Sequence, residues 1–521
     1  MNSLRKIALL GTGKWNAPPR EENYALQNLL DQTSTKNLED KLLIQAGNRA
    51  LYQQAGWLPR NDVVLPTPAP EEKYETCSSE MLSLLTQVFL SEQKDLKLEV
   101  FQAYQQYQRK LPWDILPLAL NVQDVELRHA IMPILGKRGR WLSQWNTDWH
   151  WAQEGHSEQN TDDIAALRRT WLEGNRRQRM EVLAALRKVD AGEGRQWFVE
   201  TLPVEKADIR AELLEQLHVG LSLEDETVLE QLLDDRSTQV RQVASALLRE
   251  LPGSAWVQRM QERASQMLQY DEAELHCIPP GELPADWKRD GISNRPPPGK
   301  GKKSYWVEAV LGNVPVSYWQ RLYQTAPAKL LTAVSRDDYA MEVALGWTRA
   351  LEVVPTNDSE ILRWAHALWD YWIGHWQKDR KKNPETLSRL SAIMRKFPAN
   401  TAEQKVLPFL VQGRLHGAAL LLLLEALPRP WSSYFAQHYL QVARQVARCA
   451  VLDEAYEWLK SLEIAGRAIP ASMHAAALEP WNMERMGQAS WTITAIEQLL
   501  EGFLQHVKFR KLLHEEIAKG S

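Results

Sequence analysis

The sequence predicts an all-α fold, built as a two-lobed superhelix of stacked helical repeats. Three observations lead to this prediction: helical periodicity along most of the 521 residues, an internal repeat, and a proline-rich segment that interrupts the helices near residue 290. A chain of this length exceeds one compact core, so several domains or one long repeat array are expected.

Composition points to a water-soluble globular protein. The hydrophobic fraction is 44% and the charged fraction is 25%, and no apolar run approaches the roughly 20 residues that a membrane span needs. The apolar patch near the N-terminus is shorter than the core of a secretory signal, which takes about 7 to 15 residues. A cytoplasmic location with no membrane contact is therefore expected.

The net charge and the number of cysteines indicate which partners and which kinds of site are not expected. The net charge of −4 gives no overall field that would attract nucleic acid or an anionic membrane. Cys77, Cys277 and Cys449 are odd in number and far apart, which predicts reduced thiols rather than a disulfide framework or a zinc site. No metal and no cofactor are expected.

Residues 1–78 are predicted to form an N-terminal helical cap and a linker. Helical patterns occupy residues 23–30 and 38–52, and a proline-punctuated loop follows at 58–70. The run Gly-Thr-Gly-Lys at 11–14 is not a P-loop. A P-loop has four residues between its first glycine and its Gly-Lys pair, and a Ser or Thr after the lysine. We interpret this run as a turn.

Residues 79–275 contain the internal repeat and form the predicted first lobe. Arg179, Arg210 and Arg241 recur every 31 residues, and a leucine follows each of them after seven positions. These leucines are Leu186, Leu217 and Leu248, and Arg128 with Leu135 follow the same pattern. A unit of this size holds two helices and resembles a HEAT-like repeat, so the units are expected to stack into an α-solenoid.

Residues 276–304 form a proline-rich segment, which we call the seam. Its prolines prevent a continuous helix, but a free linker has little use for large apolar side chains. We predict that the seam is ordered and packed across both lobes. The predicted anchors are Trp287 and Trp306 as apolar contacts and Arg289 and Asp290 as ion-pair partners.

Residues 305–521 form the predicted second lobe, and helical periodicity extends nearly to its end. Trp369, Trp372 and Trp376 share one helix face, which is typical of core packing. His366 and His375 flank the same helix but are nine residues apart, which places them on opposite faces and argues against shared metal ligation. His276 beside Cys277 lacks the second ligand pair that a zinc site needs.

A cluster of basic and aromatic residues is the candidate partner-binding site. It comprises Lys137, Arg138, Arg140, Trp141, Trp145 and Trp149. Tryptophan and arginine are enriched at interface hot spots, so a groove for a partner's peptide is one interpretation, and burial in the core is the other. Basic residues beside aromatic rings also suit nucleic acid, as do Lys300, Lys302 and Lys303 of the seam, but the acidic net charge favours a solvated linker and a helix-end contact.

Four segments resemble landmarks of one known family. They are ALLGTGK at 8–14, LGKRGRWL at 135–142, WKRDGISNRPPPGKGKKSYWVEAVLGNVPVSYW at 287–319 and LPRPWS at 427–432. Together they are similar to the DUF5691 family over nearly the whole chain. The resemblance implies an all-helical bacterial protein whose gene lies beside those of a SWIM zinc-finger protein, a MoxR-type AAA+ ATPase and a von Willebrand factor A protein. It supplies no catalytic residues.

The expected function is a non-enzymatic scaffold or adaptor that binds protein partners in a MoxR ATPase and von Willebrand A system. A nucleic-acid-binding helical-repeat module is the alternative, because the chain has two basic clusters. An enzyme with a site between the lobes is the third hypothesis. The sequence contains no Ser/His/Asp order and no supported carboxylate pair, so no catalytic residue is assigned.

Overall fold

The computed structural model describes most of the chain in two compact units, Met1–Ala69 and Pro70–Ser521. The described residues are 4, 7, 10–13, 15–21, 23–35, 37–55, 67–72, 77–153, 164–271, 274–353, 358–379, 383–413, 415, 417–448, 452–481 and 491–519. Lys14 and Cys449 lie outside these ranges.

The described part of the first unit includes the helices α1 (Tyr24–Asp31) and α2 (Leu38–Ala55). The side chain of Asn23 accepts hydrogen bonds from the backbone at the start of α1, which satisfies amides that the helix itself leaves free. Gln45 of α2 is buried and donates to the carbonyl of Pro19 at 2.7 Å, so it fixes the segment before α1 onto α2. Both helical patterns predicted in this part of the sequence are confirmed.

The second unit begins with helices of 5 to 14 residues. Their boundaries follow local capping chemistry: Ser78 caps the first, Asp124 the fourth, and Asn175 forms a capping box with Gln178. The helices are α3 (Ser79–Leu90), α4 (Lys94–Gln106), α5 (Leu116–Leu120), α6 (Val125–Ile131), α7 (Gly136–Ser143), α8 (Ile164–Glu173), α9 (Arg176–Val189), α10 (Ala191–Thr201), α11 (Ala207–Glu215), α12 (Glu226–Leu232), α13 (Thr238–Arg249) and α14 (Ala255–Met267).

The repeated arginines form a ladder of hydrogen bonds through the loops between these helices. Arg179 donates to the carboxylate of Glu205 at 2.6 Å, and Arg210 donates to the backbone carbonyl of Glu205 at 2.8 Å. Arg210 also binds both carboxylate oxygens of Asp235 at 2.9 Å, and Arg241 donates to the backbone carbonyl of Asp235 at 2.6 Å. Each acidic residue thus receives one arginine on its side chain and the next arginine on its backbone.

The repeated leucines lie under this ladder in the apolar core. Leu186, Leu217 and Leu248 are each at most 1% exposed. The 31-residue repeat therefore carries two structural roles, an arginine that joins loops and a leucine that fills the core.

A short hairpin precedes the seam, and the sequence did not predict it. Strands β1 (Leu268–Asp271) and β2 (Glu274–Cys277) pair antiparallel, with Leu268 opposite Cys277. Helix α15 (Ala285–Arg289) lies within the seam. Apart from this hairpin the described residues are helical or irregular, so the all-α fold is confirmed.

The helices after the seam continue to the end of the described chain. They are α16 (Lys302–Leu311), α17 (Val316–Tyr323), α18 (Pro327–Val334), α19 (Ala340–Val353), α20 (Ser359–Lys378), α21 (Pro384–Met394), α22 (Ala399–Val411), α23 (Gly417–Ala426), α24 (Ser433–Ala447), α25 (Leu452–Leu459), α26 (Leu462–Ala468), α27 (His474–Ala477) and α28 (Trp491–Lys519). None of the helices in the described part of the chain is long and apolar enough to cross a membrane.

Tryptophan fills much of this second half. Trp369, Trp372 and Trp376 are at most 4% exposed, which confirms the predicted core stripe. The Nε1 of Trp372 donates to Thr348 at 2.8 Å, and Trp347 packs edge-on against Trp364 at 5.1 Å. The large rings therefore join α19 and α20 rather than forming a surface groove.

The buried apolar side chains form two clusters, and these clusters do not follow the order of the helices along the chain. One cluster of buried side chains runs from Trp171 to Val507, passing through the seam at Trp287. A second cluster holds the buried residues of segment 81–152 and also Leu513 and Ile517 of α28. The last helix therefore completes the core of the first helices of this unit.

Candidate functional site

The predicted partner-binding cluster is built around the start of α7. Gly136 has φ of +75°, and a Cβ there would lie 2.7 Å from a carboxylate oxygen of Glu72. That carboxylate accepts the backbone N–H groups of Lys137 at 2.7 Å and Arg138 at 3.0 Å. Glycine is required at this position for its backbone angle and for the close approach of Glu72.

Most of the cluster is used within the fold. The guanidinium of Arg138 lies 3.8 Å from the ring centroid of Trp113, and Arg140 is half-buried. Trp149 is also half-buried and donates through Nε1 to Asn121 at 2.9 Å. Trp141 packs edge-on against Trp145 at 6.0 Å.

Two members of the cluster remain on the surface. Lys137 is exposed, and Trp145 keeps 55% of its surface accessible. The structure thus brings the six predicted residues into one region, but only part of the cluster is available to a partner.

The apolar anchors of the seam lie in the core. Trp287 is 5% exposed and lies under the guanidinium of Arg263 at 5.5 Å from the ring centroid. Trp306 is 3% exposed, and its Nε1 donates to the carbonyl of Ser293 at 3.2 Å. The seam is therefore fixed to helix α14 on one side and to α16 on the other.

The charged anchors of the seam bind the first half of the unit. Asp290 is 3% exposed and accepts hydrogen bonds from Arg259 at 2.7 and 3.0 Å. Burial opposes the charge of Arg259, but its hydrogen bonds to Asp290 and Glu230 outweigh this effect and raise its pKa. Arg289 reaches back to Glu230 at 3.0 Å and Asp234 at 3.1 Å.

A cavity with a volume of about 760 Å³ lies beside the seam. We call it the seam cleft. Segment 297–300 of the seam forms one wall, and side chains of α16, α19, α20 and α21 form the others. Its size falls within the range of small-molecule sites, about 300 to 1,000 Å³.

Two cations of the seam cleft have partners inside the protein. Lys300 forms an ion pair with Glu308, and Arg389 pairs with Glu385 at 3.0 Å. Arg389 also lies 4.8 Å from the ring centroid of Trp372. Burial lowers the pKa of Lys300 and of Arg389. The sequence interpretation of Lys300 as part of a solvated linker is wrong, because its side chain is only 26% exposed.

A third cation, Arg349 of α19, differs from these two. It is exposed on the cleft wall, and within the described parts of the chain it has no hydrogen bond and no ion pair. Gly312 leaves room for its stem, since a Cβ there would lie 2.9 Å from Arg349 Cδ. Glu352 is one turn further along α19, and the protein packed around its carboxylate raises its pKa.

A second polar cavity, of about 250 Å³, lies where α28 meets α4. Glu99 binds Arg510 at 2.8 Å through both oxygens and His514 at 2.7 Å. Burial acts against the carboxylate of Glu99, but His514 and Arg510 outweigh it and lower the pKa of Glu99 to about 2. Burial also lowers the pKa of the nearby His474 to about 4. This arrangement holds two distant parts of the chain together.

Metal-ligating and nucleophilic groups are sparse in the described residues. They include no group of three or more His, Cys, Asp or Glu side chains that could hold a metal ion. Cys77 and Cys277 are free thiols, and burial raises their pKa to about 11 and about 12. Both thiols are therefore protonated near neutral pH. His366 contacts Phe397, whereas His375 lines the seam cleft, as their spacing predicted.

Comparison with known protein families gives a match. A family model described as a family of unknown function, DUF5691, matches residues 3–517. The chain belongs to the DUF5691 family. No curated protein matches it.

Three sequence landmarks that suggested DUF5691 have identifiable structural roles. Segment 135–142 contains the glycine that Glu72 contacts and the exposed Lys137. Segment 287–319 supplies the seam anchors and the wall of the seam cleft. In segment 427–432, Trp431 is 1% exposed and Ser432 caps α24.

The sequence did not identify the residues that line the seam cleft or the cavity around Glu99 in this DUF5691 protein. The seam cleft combines residues up to 92 positions apart in the chain, from Pro297 to Arg389, and no spacing rule connects them. Its one local signal is the run Pro-Pro-Pro-Gly-Lys, in which the prolines hold the backbone extended and Lys300 follows the turn at Gly299.

Proposed function

We propose that this protein is a non-enzymatic helical-repeat scaffold that binds protein partners, with its repeats in a HEAT-like solenoid arrangement. The observation that carries the proposal is the arginine ladder through Arg179, Arg210 and Arg241. It joins successive loops by the same pair of interactions, as expected of stacked units that depend on their neighbours for stability.

The ladder supports a binding role because it makes the loops rigid. Arg179 and Glu205 are 16% and 17% exposed, and Arg210 and Asp235 are 12% and 13% exposed. Such ion pairs are partly shielded from water and hold their geometry better than surface pairs. A rigid row of loops and helices loses little conformational freedom on binding, which favours affinity.

The partner-binding surface in this proposal includes Trp145 and Lys137. Trp145 exposes a large apolar ring beside Trp141, and Lys137 adds a positive charge at the start of the same helix region. Exposed tryptophan with a neighbouring cation is typical of interface hot spots. The proposed partners are the MoxR-type AAA+ ATPase, the von Willebrand factor A protein and the SWIM zinc-finger protein that the family resemblance implies.

Purified partner proteins from the same genome provide the test. The full-length chain is immobilised and offered each partner, with ATP present for the ATPase. We expect a saturable complex with at least one of them, and at least a tenfold weaker complex for Trp145→Ala combined with Lys137→Glu, since a hot-spot residue contributes about 2 kcal/mol or more.

Trp491→Ala is the matched control, because Trp491 is 72% exposed and lies outside the cluster. It should leave the complex unchanged. The absence of any complex with all three partners would contradict the assignment of partners, and equal weakening by both variants would contradict the surface. A gel shift with nucleic acid that disappears at high salt and in the Lys137→Glu variant would favour the nucleic-acid alternative.

A further inference from the structure

One cation on the wall of the seam cleft forms no ion pair within the described residues. Arg349 lines the cleft with no ion pair or hydrogen bond in the described residues, whereas Lys300 and Arg389 each have a carboxylate partner. Its stem is positioned by the space over Gly312. Arg349 therefore keeps its five N–H donors available.

A second unpaired arginine lies near it. Arg249, at the end of α13, is half-buried, its Nε is buried with no acceptor, and no ion pair satisfies its guanidinium within the described ranges. Burial lowers the pKa of Arg249, and the charge of Arg349 lowers it further, against a weaker opposing effect of Glu250. Two guanidinium groups that repel each other cost free energy, and a bound anion would reduce that cost.

The one carboxylate between these arginines does not neutralise the region. Glu352 lies near Arg349, Arg249, Arg395 and Lys396, so four cations surround one acid. Lys396 donates to the backbone carbonyl of Glu352 at 2.8 Å. The surroundings of Glu352 therefore hold more cations than carboxylates.

We propose that the seam cleft binds a small organic polyanion, of which one phosphate or carboxylate group is held by Arg349 on the cleft wall, and that the charge of the nearby Arg249 adds to the attraction. Guanidinium groups bind both kinds of oxyanion through paired N–H donors. The volume of about 760 Å³ accommodates a metabolite-sized molecule. Since segment 297–300 and α19 both line the cleft, the ligand would join the seam to a helix that follows it. This proposal is independent of the proposed scaffold role, so a failure of one does not contradict the other.

Isothermal titration of the full-length chain with two probes, pyrophosphate and citrate, at low ionic strength tests the site. We expect saturable binding of at least one probe. Binding of pyrophosphate alone identifies a phosphate ligand, binding of citrate alone identifies a carboxylate ligand, and binding of both supports their shared oxyanion chemistry.

Arg349→Ala should weaken binding at least tenfold, because it removes a hydrogen bond between charged groups. The fold should survive, since Arg349 makes no intramolecular bond among the described residues. Arg336→Ala is the matched control, because Arg336 is 85% exposed and does not line the cleft. It should leave binding unchanged.

Glu385→Gln should change the binding affinity in the opposite direction to Arg349→Ala. It frees Arg389 from its carboxylate partner and lowers the negative charge of the cleft, so binding should become severalfold tighter. The proposal is overturned if neither probe binds at millimolar concentration, or if Arg349→Ala and Arg336→Ala weaken binding equally.

Discussion

Asp225 and Arg187 form an ion pair with no solvent exposure on either side chain. Arg187 donates to both oxygens of Asp225 at 2.8 Å and to backbone carbonyls that include Val219 and Leu217. Burial acts against the charge of Asp225, but Arg187 and the backbone N–H of Ser222 outweigh it and lower its pKa. The pair therefore stays ionised and depends on both members.

Removal of one member should be costly. Asp225→Ala leaves a buried guanidinium without its counterion, and we expect the free energy of unfolding to fall by about 3 to 5 kcal/mol. Urea denaturation followed by circular dichroism measures the change as a lower midpoint. Arg177→Ala is the control, because its pair with Glu181 is largely exposed and should contribute at most about 0.5 kcal/mol. Equal effects of the two variants would contradict the prediction.

The sequence pattern could not identify this pair. Arg187 follows the apolar positions of α9 and is indistinguishable from a charged residue on a solvated helix face. Its partner is 38 positions away, in a loop that local periodicity does not place. The repeated Arg179, Arg210 and Arg241 were identifiable because their recurrence every 31 residues is itself a pattern in the sequence.

At the scale of elements, the seam is held by a buried carboxylate. Asp290 accepts from Arg259 and forms an ion pair with Arg263 at 2.7 Å, so two cations of α14 depend on it. The helical turn of α15 carries Trp287 into the core beside them. The seam therefore behaves as part of the packed structure rather than as a linker.

Loss of this carboxylate should loosen the seam. Asp290→Ala leaves Arg259 and Arg263 without their shared acceptor, so amide hydrogen exchange across residues 285–292 should become at least tenfold faster through local opening. Hydrogen exchange with mass spectrometry measures the rate, and Lys288→Ala, an exposed position in the same turn, should leave it unchanged. Exchange at the wild-type rate in Asp290→Ala would show that apolar packing alone holds the seam.

Helices were predictable from the sequence, but the hairpin before the seam was not. Helical periodicity is a local property, and it placed the tryptophan stripe of α20 correctly. Each strand has only four residues, which is too short for alternation to stand out. The hairpin is fixed by distant groups, since Tyr323 donates to the carbonyl of Leu268 at 2.7 Å and the N–H of Cys277 donates to Asp337 at 3.0 Å.

At the scale of the second unit, α28 connects the last part of the chain to the first helices. Arg510 and His514 bind Glu99, and Arg510 lies 411 positions away from it. Leu513 and Ile517 add apolar contacts on the same side. No local feature of the sequence predicts this pairing, because each helix alone is an ordinary amphipathic segment.

The contact should make stability depend on pH. The folded-state pKa of Glu99 is about 2, against an ordinary value of 4.5, so its stabilisation is complete above pH 4.5 and is lost as the pH falls towards 2. Glu99→Gln should therefore lower the free energy of unfolding by about 3 kcal/mol near neutral pH and have little effect near pH 2.

Denaturant titrations of both proteins across this pH range measure the difference. Glu515→Gln on the same helix is the control, because its carboxylate is 50% exposed and its pair with Lys511 is 3.7 Å long. A Glu99→Gln effect that does not vary with pH would contradict the ionic origin of the contact.

The position of Leu513 and Ile517 has a consequence for biosynthesis. The helices of segment 79–135 leave the ribosome long before α28, but two of the buried side chains of their core arrive only with the last turns of α28. Until then the nascent chain exposes an apolar surface that α28 covers in the folded protein. Such surfaces are recognised by chaperones and proteases. A product that stops before α28 would keep that surface uncovered and remain open to such recognition.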